Sequence, residues 1–310
     1  MTRFARRLTI ATLLYGIVCS AAGIFLAEIT LHPQRRPLDA QATAQAQQLA
    51  QRTGSELQDM SLKANGDVLL KAWLIQPAAT NNSAVLLLHG LGDNRLGMIG
   101  YAELLLAHGY TVLMPDARAH GQSEGALATF GLLERSDIWL WARWFHDNLH
   151  PKCLYGLGES MGAAQLLQSL DKDNLFCAVV AESPFSNFRE IGYDRVGQFF
   201  QTGPWLGRTL LWPVIEIAFL YSRWKYGVDL QQASPERAVS GTRIPVLLIH
   251  GQVDSNIPVR HSRRIKALAP RITLWEVPNA DHCGAISTEP EEFERRVLEW
   301  FSSQARTAGR

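Results

Sequence analysis

The sequence predicts an α/β fold: a mostly parallel central sheet with helices on both faces and a short helical cap insertion. Three observations predict it. Short, continuously apolar runs such as residues 84–88 (AVLLL) and 110–114 (YTVLM) alternate with stretches of helical periodicity, and a strand apolar on both sides must be covered on both sides. The alternation starts with two segments joined at Asn65-Gly66, a strong turn signal between antiparallel strands. Several apolar runs end in loops that carry Ser, Asp or His, and the carboxyl ends of strands are where open α/β sheets gather reactive groups.

The elements follow in order. Residues 57–62 and 68–75 read as the opening hairpin. Residues 84–88 form a buried strand that runs into His89-Gly90, residues 97–108 a helix, and 110–114 a strand ending at Pro115-Asp116. Residues 132–149 are a tryptophan-rich helix, 153–157 a strand, 161–170 a helix and 176–181 a strand. Residues 244–249, 259–268, 272–277 and 289–301 repeat the order strand, helix, strand, helix. Between them, 183–240 breaks the pattern. This stretch holds Phe199, Phe200, Trp205, Trp212, Phe219, Tyr221, Trp224 and Tyr226. It reads as a cap of about 184–240 lying over the sheet edge, interrupted at Pro213. Its apolar residues fall on more than one face, so it either packs tightly or meets lipid. Pro213, Glu216 and Arg208 argue against a second membrane span.

The N-terminus has its own character. Arg3, Arg6 and Arg7 precede an apolar run, residues 8–31, whose only charge is Glu28. About 20 apolar residues cross a bilayer as a helix. The basic residues favour 1–7 in the cytoplasm and the rest outside, in a single-pass, signal-anchored protein. The alternative is a secreted chain released by signal cleavage near Ser20-Ala21-Ala22. Residues 32–55 read as a polar linker, with a helical spacer over 38–52. The main domain is assigned to 56–303 and a tail to 304–310.

Composition narrows the function classes. The chain has 310 residues, 47% hydrophobic and 19% charged, with a net charge of +1. This excludes a disordered or low-complexity chain, and no basic track exists for nucleic acid. The four cysteines, Cys19, Cys153, Cys177 and Cys283, are too few and scattered for a disulfide framework, and no CxxC pair suggests zinc. No metal or cofactor is expected.

Gly158-Glu159-Ser160-Met161-Gly162 fits G-x-S-x-G, follows a predicted strand and opens a predicted helix. That context turns the pattern into a nucleophile on a strained strand-to-helix turn. A serine hydroxyl needs a base held by a third group. Asp254, in the loop after 244–249, and His282, in the loop after 272–277, supply the acid and the base in the order Ser160, Asp254, His282. Asp281 competes for the acid role but adjoins His282, and its side chain would point elsewhere. The oxyanion donors are assigned to the backbone N–H of Met161 and of Leu91, the latter in the loop after 84–88.

Together with these motifs, H-G-L-G-D-N after residue 88, D-A-R-A-H-G-Q-S-E-G over 116–125, H-G-Q-V-D at 250–254 and D-H at 281–282 resemble the α/β-hydrolase superfamily. The resemblance is closest to its monoacylglycerol-lipase-like and prolyl-oligopeptidase-like serine hydrolases and their membrane-anchored relatives. It implies that 116–125 buttresses the oxyanion loop rather than reacting. Ala119 stands where those relatives have Gly. Glu159 replaces the His, Tyr or Phe common beside the nucleophile and reads as a solvated or arginine-paired carboxylate. The resemblance also implies hydrolysis through an acyl-enzyme. The apolar cap and anchor favour a carboxylic ester with an acyl or lipid-like group. A serine peptidase, a thioesterase and a non-catalytic binding module are the alternatives.

Overall fold

The computed structural model describes residues 2–170, 175–269 and 271–308. The first residue of the expected N-terminal segment and 309–310 of the expected tail lie outside them. In chain order the elements are α1 (Arg3–Leu31), α2 (Ala40–Arg52), β1 (Ser55–Lys63), β2 (Leu69–Pro77), β3 (Ser83–Leu88), α3 (Ile99–Ala107), β4 (Thr111–Pro115), α4 (Glu134–Asn148), β5 (Cys153–Glu159) and α5 (Ser160–Gln168). They continue with β6 (Ala178–Glu182), α6 (Phe188–Phe199), α7 (Trp205–Arg208), α8 (Trp212–Tyr226), α9 (Pro235–Val239), β7 (Val246–Gly251), α10 (Arg260–Leu268), β8 (Thr273–Val277), α11 (Ala285–Thr288) and α12 (Pro290–Ala308). Two compact units result, one of Met1–His32 with Asn187–Ala233, the other of Pro33–Ser186 with Ser234–Arg310.

The second unit is the α/β domain. Its sheet has the order β1-β2-β4-β3-β5-β6-β7-β8. β2 runs antiparallel to β1 and β4, and the remaining pairs are parallel. Successive side chains of a strand point to opposite faces, and the interior divides accordingly. Val85, Leu87, Leu247 and Ile249 join one apolar cluster with Phe293 and Phe301 of α12. Ala84, Leu86, Leu88, Val246 and Leu248 join the other, with Trp141 and Phe145 of α4. Each continuous apolar run therefore serves two cores at once. The expected hairpin is present, with Gly66 at φ +79 and Asp67 at φ +60 in its turn.

Two expectations are corrected in this unit. The helix expected over 38–52 is present as α2, but it packs against the domain and is not a solvated linker. The Asp39 carboxylate accepts the N–H of Ala42 at 2.8 Å and starts α2. Its small apolar residues Ala42, Ala46, Leu49 and Ala50 are buried, and the last three join the core containing Trp73 and Ile75. Cys153 and Cys177, read as scattered cysteines, form a disulfide with 5.6 Å between their Cα atoms, tying the start of β5 to the segment before β6.

The first unit combines α1 with α6, α7 and α8. Along α1 the buried residues are Cys19, Gly23, Ala27 and Leu31, every fourth position, so one narrow stripe is covered. Gly23 is where α8 crosses: a Cβ there would lie 2.7 Å from the Val214 carbonyl oxygen. The stretch from Trp205 is interrupted as expected, α7 ending at Arg208 and α8 starting at Trp212, with Pro213 just inside the new start. The proline occupies the first turn of α8, where its missing N–H would have had no intrahelical acceptor.

Candidate active site

Four loops at the carboxyl ends of β3, β5, β7 and β8 carry the residues singled out in the sequence. The turn from β5 into α5 is forced by its glycines. A Cβ on Gly158 would lie 2.7 Å from the Gly162 carbonyl carbon, and one on Gly162 would run into the carbonyl oxygens of Leu88 and His89. Ser160 between them adopts φ +49, a left-handed backbone that costs a non-glycine residue about 1–2 kcal/mol. The glycines permit the approach, and the strained serine projects its hydroxyl beyond the sheet.

The structure brings Ser160, His282 and Asp254 together. His282 Nε2 lies 2.9 Å from Ser160 Oγ, and His282 Nδ1 lies 2.8 Å from Asp254 Oδ2. An ionised carboxylate only accepts, so Nδ1 carries the proton and Nε2 is left to accept from the serine hydroxyl. The Asp254 side chain is fully buried, while His282 keeps 19% exposure. Burial pushes the Asp254 carboxyl up, but hydrogen bonds from His250 and His282 and the N–H of Ile257 outweigh it and hold it well below the usual carboxylate range. Asp254 Oδ1 also accepts from the N–H of Asn256 at 3.0 Å and of Ile257 at 2.7 Å.

Asp281 turns away from this relay. Its Oδ1 accepts the backbone N–H of Ser255 and of His282, each at 2.8 Å, so it pins the two loops together. Met161 is the second residue of α5, where helix N–H groups have no intrahelical acceptor. Leu91 follows Gly90, and a Cβ on Gly90 would lie 3.6 Å from Ser160 Cβ. The Leu91 side chain is 48% exposed.

The 116–125 segment is linked to the loop after β3 through a buried histidine. His89 Nε2 accepts the N–H of Ala117 at 3.0 Å, so its proton sits on Nδ1, which donates to the Gly90 carbonyl at 2.7 Å. Burial lowers the His89 pKa and favours this neutral form. Asp116 accepts the N–H of Arg95 at 2.8 Å and of Gln122 at 2.7 Å. Ala119, at φ +61, occupies a conformation suited to glycine.

Glu159 corrects its expected reading. It is half-buried, and among the described residues no arginine pairs with it. Its Oε1 accepts the N–H of Gly90 at 3.3 Å, and its Oε2 lies 3.4 Å from the hydroxyl of Tyr101, which also donates to Glu182 at 2.9 Å. Burial first, and the nearby Glu182 second, push its carboxyl up to about 7. Sequence reasoning also missed His250, although it lies within the H-G-Q-V-D motif. His250 Nε2 donates to the Ile257 carbonyl at 2.7 Å and lies 3.2 Å from Asp254 Oδ2, while Ser262 Oγ lies 2.7 Å from its Nδ1. The signal available was its place at the end of a buried strand four residues before Asp254.

Residues 85–296 match the model of the alpha/beta hydrolase family. The chain belongs to that family. Among solved structures, this hydrolase is similar to the Pyrococcus furiosus esterase Pf2001, with 26% identity, a TM-score of 0.67 and coverage of 82% of this chain and 95% of that one. The Pyrococcus horikoshii acylaminoacyl peptidase shares the fold at 18% identity, with a TM-score of 0.58, over 80% of this chain and 41% of that one. Among curated proteins, YqkD of Bacillus subtilis, an uncharacterized protein, is 27% identical over 76% of this chain and 75% of its own length. The quorum-quenching protein AidA of Acinetobacter baumannii is 29% identical over 42% of this chain and 44% of its own.

Proposed function

We propose that this hydrolase cleaves carboxylic esters of acyl or lipid-like substrates through a Ser160–His282–Asp254 relay. The observation that carries the reading is the pair of hydrogen bonds linking Ser160 Oγ to His282 Nε2 and His282 Nδ1 to Asp254, at 2.9 and 2.8 Å. Ser160 Oγ attacks the ester carbonyl carbon while His282 Nε2 takes its proton. The charge that develops on the carbonyl oxygen is met by the backbone N–H groups of Leu91 and Met161. Asp254 holds the imidazole in the required tautomer and stabilises the imidazolium. His282 then protonates the departing alkoxide, leaving an acyl-Ser160. Water, deprotonated by the same imidazole, attacks that acyl group, and the proton returns to Ser160 as the acid is released. The similarity to an esterase at 26% identity supports ester over amide or thioester chemistry. The decisive experiment is fluorophosphonate labelling of the purified chain, with the label mapped to Ser160, followed by p-nitrophenyl esters of increasing chain length beside matched anilides and thioesters. An unlabelled, inactive wild type would return the protein to the binding-module reading.

The proposed location is a membrane anchored through α1, with the α/β domain outside the cytoplasm. α1 is long and apolar enough to cross a bilayer, and Arg3, Arg6 and Arg7 at its start favour a cytoplasmic N-terminus. The Cys153–Cys177 disulfide suits an oxidising compartment. Phosphatase fusions at 33–38 should be active only on the outer side; activity confined to the cytoplasm contradicts this topology.

A further inference from the structure

The insertion Asn187–Ala233 forms one compact unit with α1, and the contacts fix how the two run. The hydroxyl of Tyr15 donates to the Leu210 carbonyl. Gly23 lies against Val214 and Ile217. Glu28, the one charge in the apolar run, accepts from Tyr221 at 2.5 Å, Lys225 at 2.7 Å and Tyr226 at 2.8 Å. Rising positions along α1 meet rising positions from Leu210 to Tyr226, so α8 lies beside α1 and points the same way. At 1.5 Å per residue, Tyr15 to Glu28 spans roughly 20 Å, most of the bilayer's hydrocarbon thickness of about 30 Å. A helix pair joined over that length sits at one depth. When α1 crosses a membrane, α8 and the segment before it go in beside it.

The surface of the insertion fits such a solvent. Trp205, Leu210, Trp212, Leu220 and Trp224 are 51–82% exposed, and Ile17, Val18 and Phe25 of the adjoining α1 are exposed as well. In water a patch of this extent is unfavourable. Six charges of the same unit pair within it, Arg189 with Glu216, Arg208 with Glu190 and Lys225 with Glu28, while Arg223 is exposed. The Glu28 cluster, with two tyrosine hydroxyls and a lysine, has the make-up of a membrane–water interface.

Resting on the anchor reading above, we propose that the insertion is a second membrane-contacting element, with Trp205, Leu210, Trp212, Leu220 and Trp224 immersed in the phospholipid acyl chains beside α1. The partner is the bilayer interior, not a second protein.

The test uses the full chain reconstituted in phosphatidylcholine vesicles whose acyl chains carry bromine, a contact quencher of tryptophan emission. Trp73, Trp139, Trp141, Trp144, Trp275 and Trp300 lie outside the insertion. The bromine-dependent loss of emission should therefore come from Trp205, Trp212 and Trp224, and should shrink several-fold in the Trp205→Phe/Trp212→Phe/Trp224→Phe variant. Single Trp→Phe variants, checked by circular dichroism, guard against a triple variant that fails to fold. Carbonate extraction separates the two readings. A chain that resists extraction but whose bromine quenching is unaffected by any of these substitutions overturns this inference alone. A chain released by carbonate overturns the anchor reading and this inference with it.

Discussion

Asp254 lies against two imidazoles. Its Oδ2 lies 2.8 Å from His282 Nδ1 and 3.2 Å from His250 Nε2. His250 is itself fixed between Ser262 and the Ile257 carbonyl, so it acts through the acid and not on the substrate. His250→Asn removes the ring beside Asp254 and leaves the buried Ile257 carbonyl without its donor. We expect kcat to fall by about 5- to 150-fold, the range set by roughly 1–3 kcal/mol for an unsatisfied buried acceptor in the turn that carries Asp254, with KM little changed. A KM effect as large as the kcat effect would contradict a positioning role.

Glu159 gives the stability of the fold a distinct pH dependence. Its carboxyl is pushed from the ordinary 4.5 to about 7 by burial and by Glu182. The folded state thus binds a proton more tightly than the unfolded state. Stability is unaffected below about 4.5, declines as pH rises toward 7, and stays at the lower level above that. Glu159→Gln keeps an acceptor for the Gly90 N–H and removes the charge. Thermal unfolding from pH 4 to 8 should show the variant gaining on the wild type by roughly 1–3 kcal/mol at pH 8 and by nothing at pH 4. Parallel curves would mean that Glu159 is not protonated within the fold.

The Cys153–Cys177 bridge closes a loop with a sequence separation of 24. Loop entropy predicts that losing it costs about 3 kcal/mol. Cys153→Ala/Cys177→Ala should lower the melting temperature accordingly. Alkylation of the unreduced, denatured chain should modify Cys19 and Cys283, the free cysteines, and leave Cys153 and Cys177 untouched. Four alkylated cysteines would show the bridge absent.

The strands were legible because a run such as 84–88 has no other use than to fill two cores, and the G-x-S-x-G turn because its glycines answer to backbone collisions around Ser160. The misreadings have physical reasons too. α2 looks polar because its buried positions are mostly alanines among glutamines, a contrast too weak to mark an inward face. A disulfide between the start of one strand and the approach to the next leaves no spacing signature. The half-buried setting of Glu159 could not be read because Tyr101 and Glu182, which share its hydrogen-bond network, come from distant parts of the chain. Where the resemblance has glycine the chain has Ala119, and that alanine still adopts the left-handed backbone glycine favours, which was not read from the sequence.

The relay itself is tested by substitutions whose effects do not add. Ser160 and His282 share one proton along a 2.9 Å contact, so removing either disables the same step. Ser160→Ala and His282→Ala should each lower kcat by several orders of magnitude, and the double variant should be little worse than either. Asp254→Asn, which disfavours the required tautomer, should cost about 10⁴-fold. Asp281→Asn should be far milder, because Asp281 holds Ser255 and the His282 backbone but no atom of the imidazole. Leu91→Ala should also be mild, since alanine retains the backbone N–H assigned to the oxyanion. Ser160→Ala should fold normally: it deletes one hydroxyl from a turn whose backbone is set by Gly158 and Gly162. Near-wild-type esterase activity in folded Ser160→Ala would remove Ser160 as the nucleophile. Strictly additive losses for Ser160→Ala and His282→Ala would instead mean that the two residues serve different steps.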